Sequence, residues 1–297
     1  MTRLPYTIVI ATFERPAELA RMLASVAEQT RPPESIIVVD SSRDEQTRAV
    51  VEAQSTILPL CYERAIEASA AKQRNQGGRH VTTPLIAFID DDARLFPDTC
   101  EKLCRGFDAD AAGAIGGIAG RLTGSPRPVP RGLLWCYYRL QAGYSHPTYG
   151  GKLLGPAVNC YPSYTETDGE LIPADWLSST CVFYRTEAFQ AELFPSFSGY
   201  SFMEDVHLSA RIARKHQVFF HRTALFEHDD APSSWKRDLV PLARSRIRNQ
   251  RAVARDVMGF SGPAFEFKLL LHRIFVTIYL LRRGGPGAWS EIHGTWT

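Results

Sequence analysis

The sequence predicts an α/β fold with a mostly parallel central sheet flanked by helices. Three observations carry that expectation. The runs TIVIAT (7–12), SIIVVD (35–40) and LIAFID (85–90) are continuously apolar rather than alternating, as strands covered on both faces must be. Segments with helical apolar spacing separate them. Strand and helix then alternate along the first 90 residues, which is how a parallel sheet is wound.

Taken in order, residues 6–11 form a buried strand. Residues 16–29 follow with Ala17, Leu19, Ala20, Leu23, Ala24 and Ala27 on a helical repeat, and Pro16 suits the first turn. A second strand at 35–39 ends in Asp40 and leads to a helix at 44–54. A third strand is expected at 58–62, a helix at 65–79, and a strand at 85–89 that runs into Asp90, Asp91 and Asp92. Residues 121–173 dissolve into Gly, Pro and aromatics, a loop too long to be idle in a compact domain. Regularity returns with a strand at 176–184, a helix at 204–215 bearing Val206, Leu208, Ile212 and Ala213, and a short strand at 218–221. Two helices close the chain, at 235–258 and 265–281, the second with twelve apolar residues in seventeen positions. The expected division is an α/β unit at 1–230 that carries the functional site and a basic and apolar helical appendage at 231–297.

Composition narrows the class. The 297 residues are 44% hydrophobic and 22% charged, which excludes disordered and collagen-like chains. A net charge of +2 gives no field that recruits nucleic acid, and none is expected as a partner. Charge is uneven, however: residues 235–283 hold 11 Lys/Arg against 3 Asp/Glu. Six scattered cysteines have neither zinc-knuckle nor secreted-framework spacing. The apolar run at 6–11 is followed at once by Glu14, Arg15 and Pro16, as a first strand would be and a signal peptide would not. A cytoplasmic location, extending to the inner face of the cell membrane, is the expectation.

The carboxylates carry the chemistry. Asp90, Asp91 and Asp92 cannot all ionise cheaply at one strand end without a neutralising cation or donor. Asp90 and Asp92 fall on one side of an extended chain and could share a hard divalent ion, Mn²⁺ or Mg²⁺, with positions left for phosphate oxygens. Glu204 and Asp205 open a helix, where they either cap it or, facing a cleft, accept a proton. His228 is either structural or a further ligand. Lys72 and Arg74 either solvate a helix that stops at Gly77 and Gly78 or offset negative charge near the acidic strand, with Arg74 the better placed. Asp40 sits at the strand edge where α/β sheets bind ligands, or caps the next helix.

In this order the motifs resemble those of the family 2 inverting glycosyltransferases, which have the GT-A fold. TIVIATFERPAELARMLASVAEQT is similar to the opening strand and helix, IIVVDSS to the nucleobase-binding strand end, KQRNQGG to the basic segment, and FIDDDA to the DxD element. DWLSSTCVFYRTEAF resembles the acceptor-side strand, and FMEDVHL the Glu-Asp motif that opens the catalytic helix. The resemblance implies a nucleotide-sugar donor (UDP-, dTDP- or GDP-linked) and a glycan or lipid-linked acceptor. It implies that Ala11, Thr12, Glu14 and Asp40 line the base and ribose pocket, with Arg74, Asp90 and Asp91 on the nucleotide. Asp90, Asp92 and His228 would hold the cation, Asp205 would be the base with Glu204 beside it, and Trp176, Ser178 and Ser179 would meet the acceptor. SSRDE after Asp40, and Ser178–Ser179–Thr180 where glycine is frequent, depart from the family pattern.

Two other classes compete. A sugar nucleotidyltransferase would carry a Gly-rich basic loop after the first strand, which ATFERPAEL lacks. A non-catalytic, membrane-apposed binding protein would not need the full carboxylate set. The helix at 265–281 is too short and too charged to span a bilayer; it either lies at a membrane interface or packs on the domain or on a twin subunit.

Overall fold

The computed structural model describes residues 3–124, 129–164, 169–199, 202–229 and 238–297. The expected boundary at 230/231 and the first residues of the basic segment, 235–237, lie outside the described residues.

Strands β1 (Tyr6–Thr12), β2 (Ser35–Asp40), β3 (Leu60–Arg64) and β4 (Leu85–Ile89) are all parallel, in the order β3-β2-β1-β4. Helices α1 (Pro16–Ala27), α2 (Gln46–Gln54) and α3 (Ala70–Arg79) connect them. The expected helix at 65–79 therefore loses its first turn, and Gly77 and Gly78 lie inside α3 rather than ending it. Their lack of a Cβ is what lets α3 settle on the sheet: a Cβ on Gly77 would stand 2.8 Å from Val9 Cγ1 and 3.0 Å from Val39 Cγ2.

Beyond β4 come β5 (Ala93–Leu95), α4 (Thr99–Asp108) and β6 (Ile115–Leu122). The segment expected to be one long loop contains α5 (Gly132–Ala142) and the small β7 (Leu153–Leu154) and β8 (Val158–Asn159) hairpin, and it runs into β9 (Leu171–Ala174). The strand expected at 176–184 begins only at Cys181, as β10 (Cys181–Arg185). It inserts antiparallel between β4 and β6. Helices α6 (Thr186–Glu192) and α7 (Glu204–Ile212) follow. The last strand is far longer than expected. β11 (Gln217–His228) lies parallel to β6 and antiparallel to β9 and β5, with its register shifting between Phe220 and Leu225.

One apolar layer, with Ile8, Ile10, Leu19, Leu23 and Phe107, fills one face of the sheet; a second, with Phe88, Trp176, Tyr184 and Phe189, fills the other. The C-terminal helices are α8 (Leu239–Asp256), α9 (Gly262–Arg283) and α10 (Ala288–Trp296), the last not expected from the sequence. Val253, Ala254, Val257 and Phe265 join the second layer. Among the described residues no helix is long and apolar enough to cross a membrane.

Candidate active site

Parallel pairing brings the C-terminal ends of β1, β2 and β4 to one edge, where Thr12 stands opposite Asp40. Asp90, Asp91 and Asp92 leave β4 at that edge. His228 reaches it from the other end of the sheet, because the end of β11 runs antiparallel to β5 with His228 opposite Ala93. The Asp229 N–H donates to Asp92 O and holds that approach. As a result His228 Nε2 lies 2.9 Å from Asp92 Oδ1. One ligand atom each from Asp90, Asp92 and His228 lies within 4.8 Å of the other two, the spacing of a set able to hold one cation.

The chain supplies part of the counter-charge itself. Arg15 Nη1 stands 3.0 Å from both Asp91 Oδ1 and Asp92 Oδ2, and Thr12 Oγ1 donates to Asp91 Oδ2 at 2.8 Å. Burial pushes the Asp91 carboxyl up to about 6, against the pull of Arg15. Arg74 is buried and forked: Nη2 lies 2.6 Å from Asp90 Oδ1 and Nη1 2.5 Å from Glu204 Oε1. Burial opposes its charge, yet Asp90 and Glu204 outweigh that cost and hold the guanidinium above its ordinary value.

Glu204 and Asp205 begin α7 after Met203, whose φ of +70° turns the chain into the helix. Asp205 is half-buried and accepts from the Val206 N–H at 2.8 Å. Burial pushes its carboxyl up to about 6, against the Val206 and Ser179 N–H groups and Arg74. Segment 177–180 thus lies between the two carboxylate groups: Ser179 N–H faces Asp205, while the Asp90 N–H donates to Thr180 O at 3.0 Å. Ser209 Oγ, one turn into α7, receives the Leu177 N–H at 2.8 Å and fixes this segment to the helix.

The other expected residues are spread along the same edge. Asp40 is fully buried, with Oδ1 accepting from the Ser42 N–H and Oδ2 from Tyr62 Oη at 2.9 Å. Ala11 is half-buried, and Glu14 is exposed with its N–H donated to Ser42 Oγ at 2.7 Å. Ser179 is buried, and Ser178 Oγ stands 3.3 Å from Thr180 Oγ1. Trp176 has no exposed surface; it is packed edge-on against Tyr161 and Phe220 and donates to Cys160 O. A small cleft beside it is lined by Tyr161, Tyr164, Ser178, Thr180, Cys181 and Phe226. Sequence reading missed Arg15, Tyr161, Tyr164 and Thr180. Arg15 was the accessible one, since it directly follows the residues assigned to the pocket at the end of β1.

Comparison with known proteins bears on family and fold. A model of the family described as Glycosyl transferase family 2 matches residues 7–156, half of the chain. An uncharacterized glycosyltransferase of Haemophilus influenzae is 31% identical over 97 residues, 33% of this chain and 32% of that protein. Validoxylamine A glucosyltransferase of Streptomyces hygroscopicus subsp. limoneus is 35% identical over 101 residues, 33% of this chain and 22% of that protein. The chain therefore spans a third or less of these curated relatives. Among solved structures, mannosyltransferase PcManGT of Pyrobaculum calidifontis, in complex with GDP-Man and Mn²⁺, superposes with a TM-score of 0.58 at 16% identity, covering 100% of this chain and 74% of that one. S. aureus TarS 1–349 in complex with UDP-GlcNAc gives 0.56 at 14% identity, covering 98% and 79%. These likenesses show the GT-A fold. With the family match over half its length, the chain belongs to glycosyl transferase family 2.

Proposed function

We propose that this chain is an inverting, cation-dependent glycosyltransferase that moves a sugar from a UDP-, dTDP- or GDP-linked donor to a hydroxyl of a glycan or lipid-linked acceptor. Arg74 carries the reading. One buried guanidinium joins Asp90, of the cation set, to Glu204, of the pair that opens α7. Arg74 therefore ties the cation set to the start of the helix that carries the proposed base, Asp205. Two carboxylates and an imidazole fit Mn²⁺ well, and Mg²⁺ through the carboxylates.

In this reading Asp90, Asp92 and His228 hold the cation, which when bound offsets charge developing on the departing diphosphate. Ala11, Thr12, Glu14 and Asp40 bound the base and ribose pocket. Asp91, locked by Arg15 and Thr12, shapes the donor side. Asp205 takes the proton of the acceptor hydroxyl as its oxygen attacks the anomeric carbon from the face opposite the diphosphate. The bond to the phosphate oxygen breaks and configuration inverts. A base poised at about 6 is ionised at neutral pH yet stronger than an ordinary aspartate. Glu204 holds Arg74 and the start of α7. Ser178 and Ser179 form the acceptor side, with Tyr161 as a flat platform backed by Trp176 and with Tyr164, whose ring Arg121 covers, in the cleft wall.

A panel of UDP-, dTDP- and GDP-sugars with Mn²⁺ or Mg²⁺ tests this. Expected is hydrolysis or transfer from one donor class only, abolished by EDTA, with the inverted anomer seen by NMR. Turnover unaffected by EDTA, or a retained anomer, would overturn it.

A further inference from the structure

Helix α9 has two faces of different fate. Phe265, Leu269, His272 and Leu280 point inward and are buried. On the opposite side Phe267, Leu270, Ile274, Ile278 and Leu281 follow one another at intervals of three and four, a single stripe along the helix. Each is 41–60% exposed. The stripe contains no charged side chain.

Its neighbours extend it. Helix α5 meets α9 through Tyr137, stacked at 4.0 Å on Phe275, and through Gln141, which donates to Lys268 O. Leu133 and Leu140 stand about a quarter-turn from that contact and are exposed. On the other flank, α10 rests on α9 through Trp296 Nε1, which donates to Thr277 Oγ1 at 2.9 Å, and Trp289 and Trp296 are exposed. Exposed apolar side chains on three adjacent helices mark a candidate interaction face.

We propose that this surface docks the protein on an anionic lipid bilayer, with α9 lying in the plane of the interface. Charge selects that occupant. Exposed Arg131 and Arg139 flank the α5 leucines, and Arg282 closes the stripe on α9. Helix α5 has no carboxylate, Glu266 of α9 is paired with Arg251 at 2.6 Å, and Glu291 of α10 is paired with Arg283. A second copy meeting the same face would bring arginine rim against arginine rim. Anionic headgroups neutralise the rim, while Trp289 and Trp296 suit the boundary between headgroups and acyl chains. His272 and Arg273 at mid-helix keep α9 from crossing.

The test uses the full chain and needs no donor, so its failure would leave the catalytic reading untouched. The protein should co-sediment with phosphatidylcholine vesicles containing phosphatidylglycerol, and less with phosphatidylcholine alone. Binding should weaken with salt, and tryptophan emission should shift to the blue. The double variant Ile274→Glu/Ile278→Glu, at exposed positions, should keep its circular dichroism and bind at least about tenfold more weakly. Arg139→Gln/Arg282→Gln should lose the preference for anionic vesicles. No co-sedimentation would overturn the proposal. So would a dimer in light scattering that the glutamate variant dissociates, since the stripe would then belong to a second copy.

Discussion

His228 Nε2 lies 2.9 Å from Asp92 Oδ1, though 136 residues separate them. The short ladder of β5 with the end of β11 creates this approach, so the histidine is aimed by backbone pairing and not by a flexible loop. His228→Ala is expected to weaken Mn²⁺ binding by about ten- to a hundredfold, and Asp92→Ala by more, since it removes the central carboxylate. Isothermal titration with Mn²⁺ measures both. Unchanged affinity in either variant would remove that residue from the cation set.

Arg15 competes for one carboxylate of that set, standing 3.0 Å from Asp92 as well as from Asp91. A fixed positive charge there repels an incoming cation. Arg15→Gln should therefore bind Mn²⁺ more tightly in the absence of donor, most visibly at low ionic strength. Weaker binding in that titration would mean that Arg15 organises the aspartates more than it opposes the ion.

With Asp205 as the proposed base, its carboxyl should set the pH dependence of transfer. Its folded carboxyl sits near 6, above the unfolded value of about 3.9, because burial disfavours its charge. Transfer should fall as pH drops through about 6. Asp205→Asn should lose roughly 10²- to 10⁴-fold in rate while binding donor normally. The stability sign is opposite to that of a paired carboxylate. The folded state binds more protons between about 4 and 6, so this group's contribution to stability declines as pH rises through that window. The Tm difference between wild type and Asp205→Asn should consequently change across that range and be flat above it.

Arg74 is the test of the network itself. Its removal leaves Asp90 and Glu204 close together without their shared cation, and breaking a buried ion pair from one side costs about 3–5 kcal/mol. Arg74→Ala should unfold at correspondingly lower urea. Arg74→Lys keeps the charge but not the fork and should recover only part of the loss. A shift below about 1 kcal/mol for Arg74→Ala would show that the carboxylates re-solvate freely.

What the sequence revealed depended on whether the signal was local. Ile8, Val38 and Phe88 sit in apolar runs that announce buried strands, and Asp40 and Asp90 end such runs, so the parallel half and its acidic edge were legible. The direction of β10 was not, because Cys181–Arg185 has the same apolarity whichever way it runs. The expected strand stops at His221, well short of the end of β11, because His221, Arg222 and Thr223 break its apolar run. There the strand changes register, and His221 Nδ1 accepts from the Thr223 and Ala224 N–H groups within the irregularity. Arg15's place beside the pocket residues is legible in the sequence, but its partners are not, because they arrive through the pairing of β1 with β4.

Gly77 shows how a residue without functional groups positions the site. It lies one turn after Arg74 in α3, where a Cβ would meet Val9 Cγ1 at 2.8 Å and Val39 Cγ2 at 3.0 Å. Both valines are β-branched and fully buried in β1 and β2, so neither can rotate away without disturbing the layer. Gly77→Ala would ordinarily favour a helix by up to about 1 kcal/mol. Here overpacking should outweigh that gain and destabilise the fold by about 1–3 kcal/mol. Lifting α3 also moves Arg74 away from Asp90, so Mn²⁺ affinity should change together with urea stability. Loss of stability with unaltered Mn²⁺ binding would show that α3 tilts about its Arg74 end and leaves the site in place.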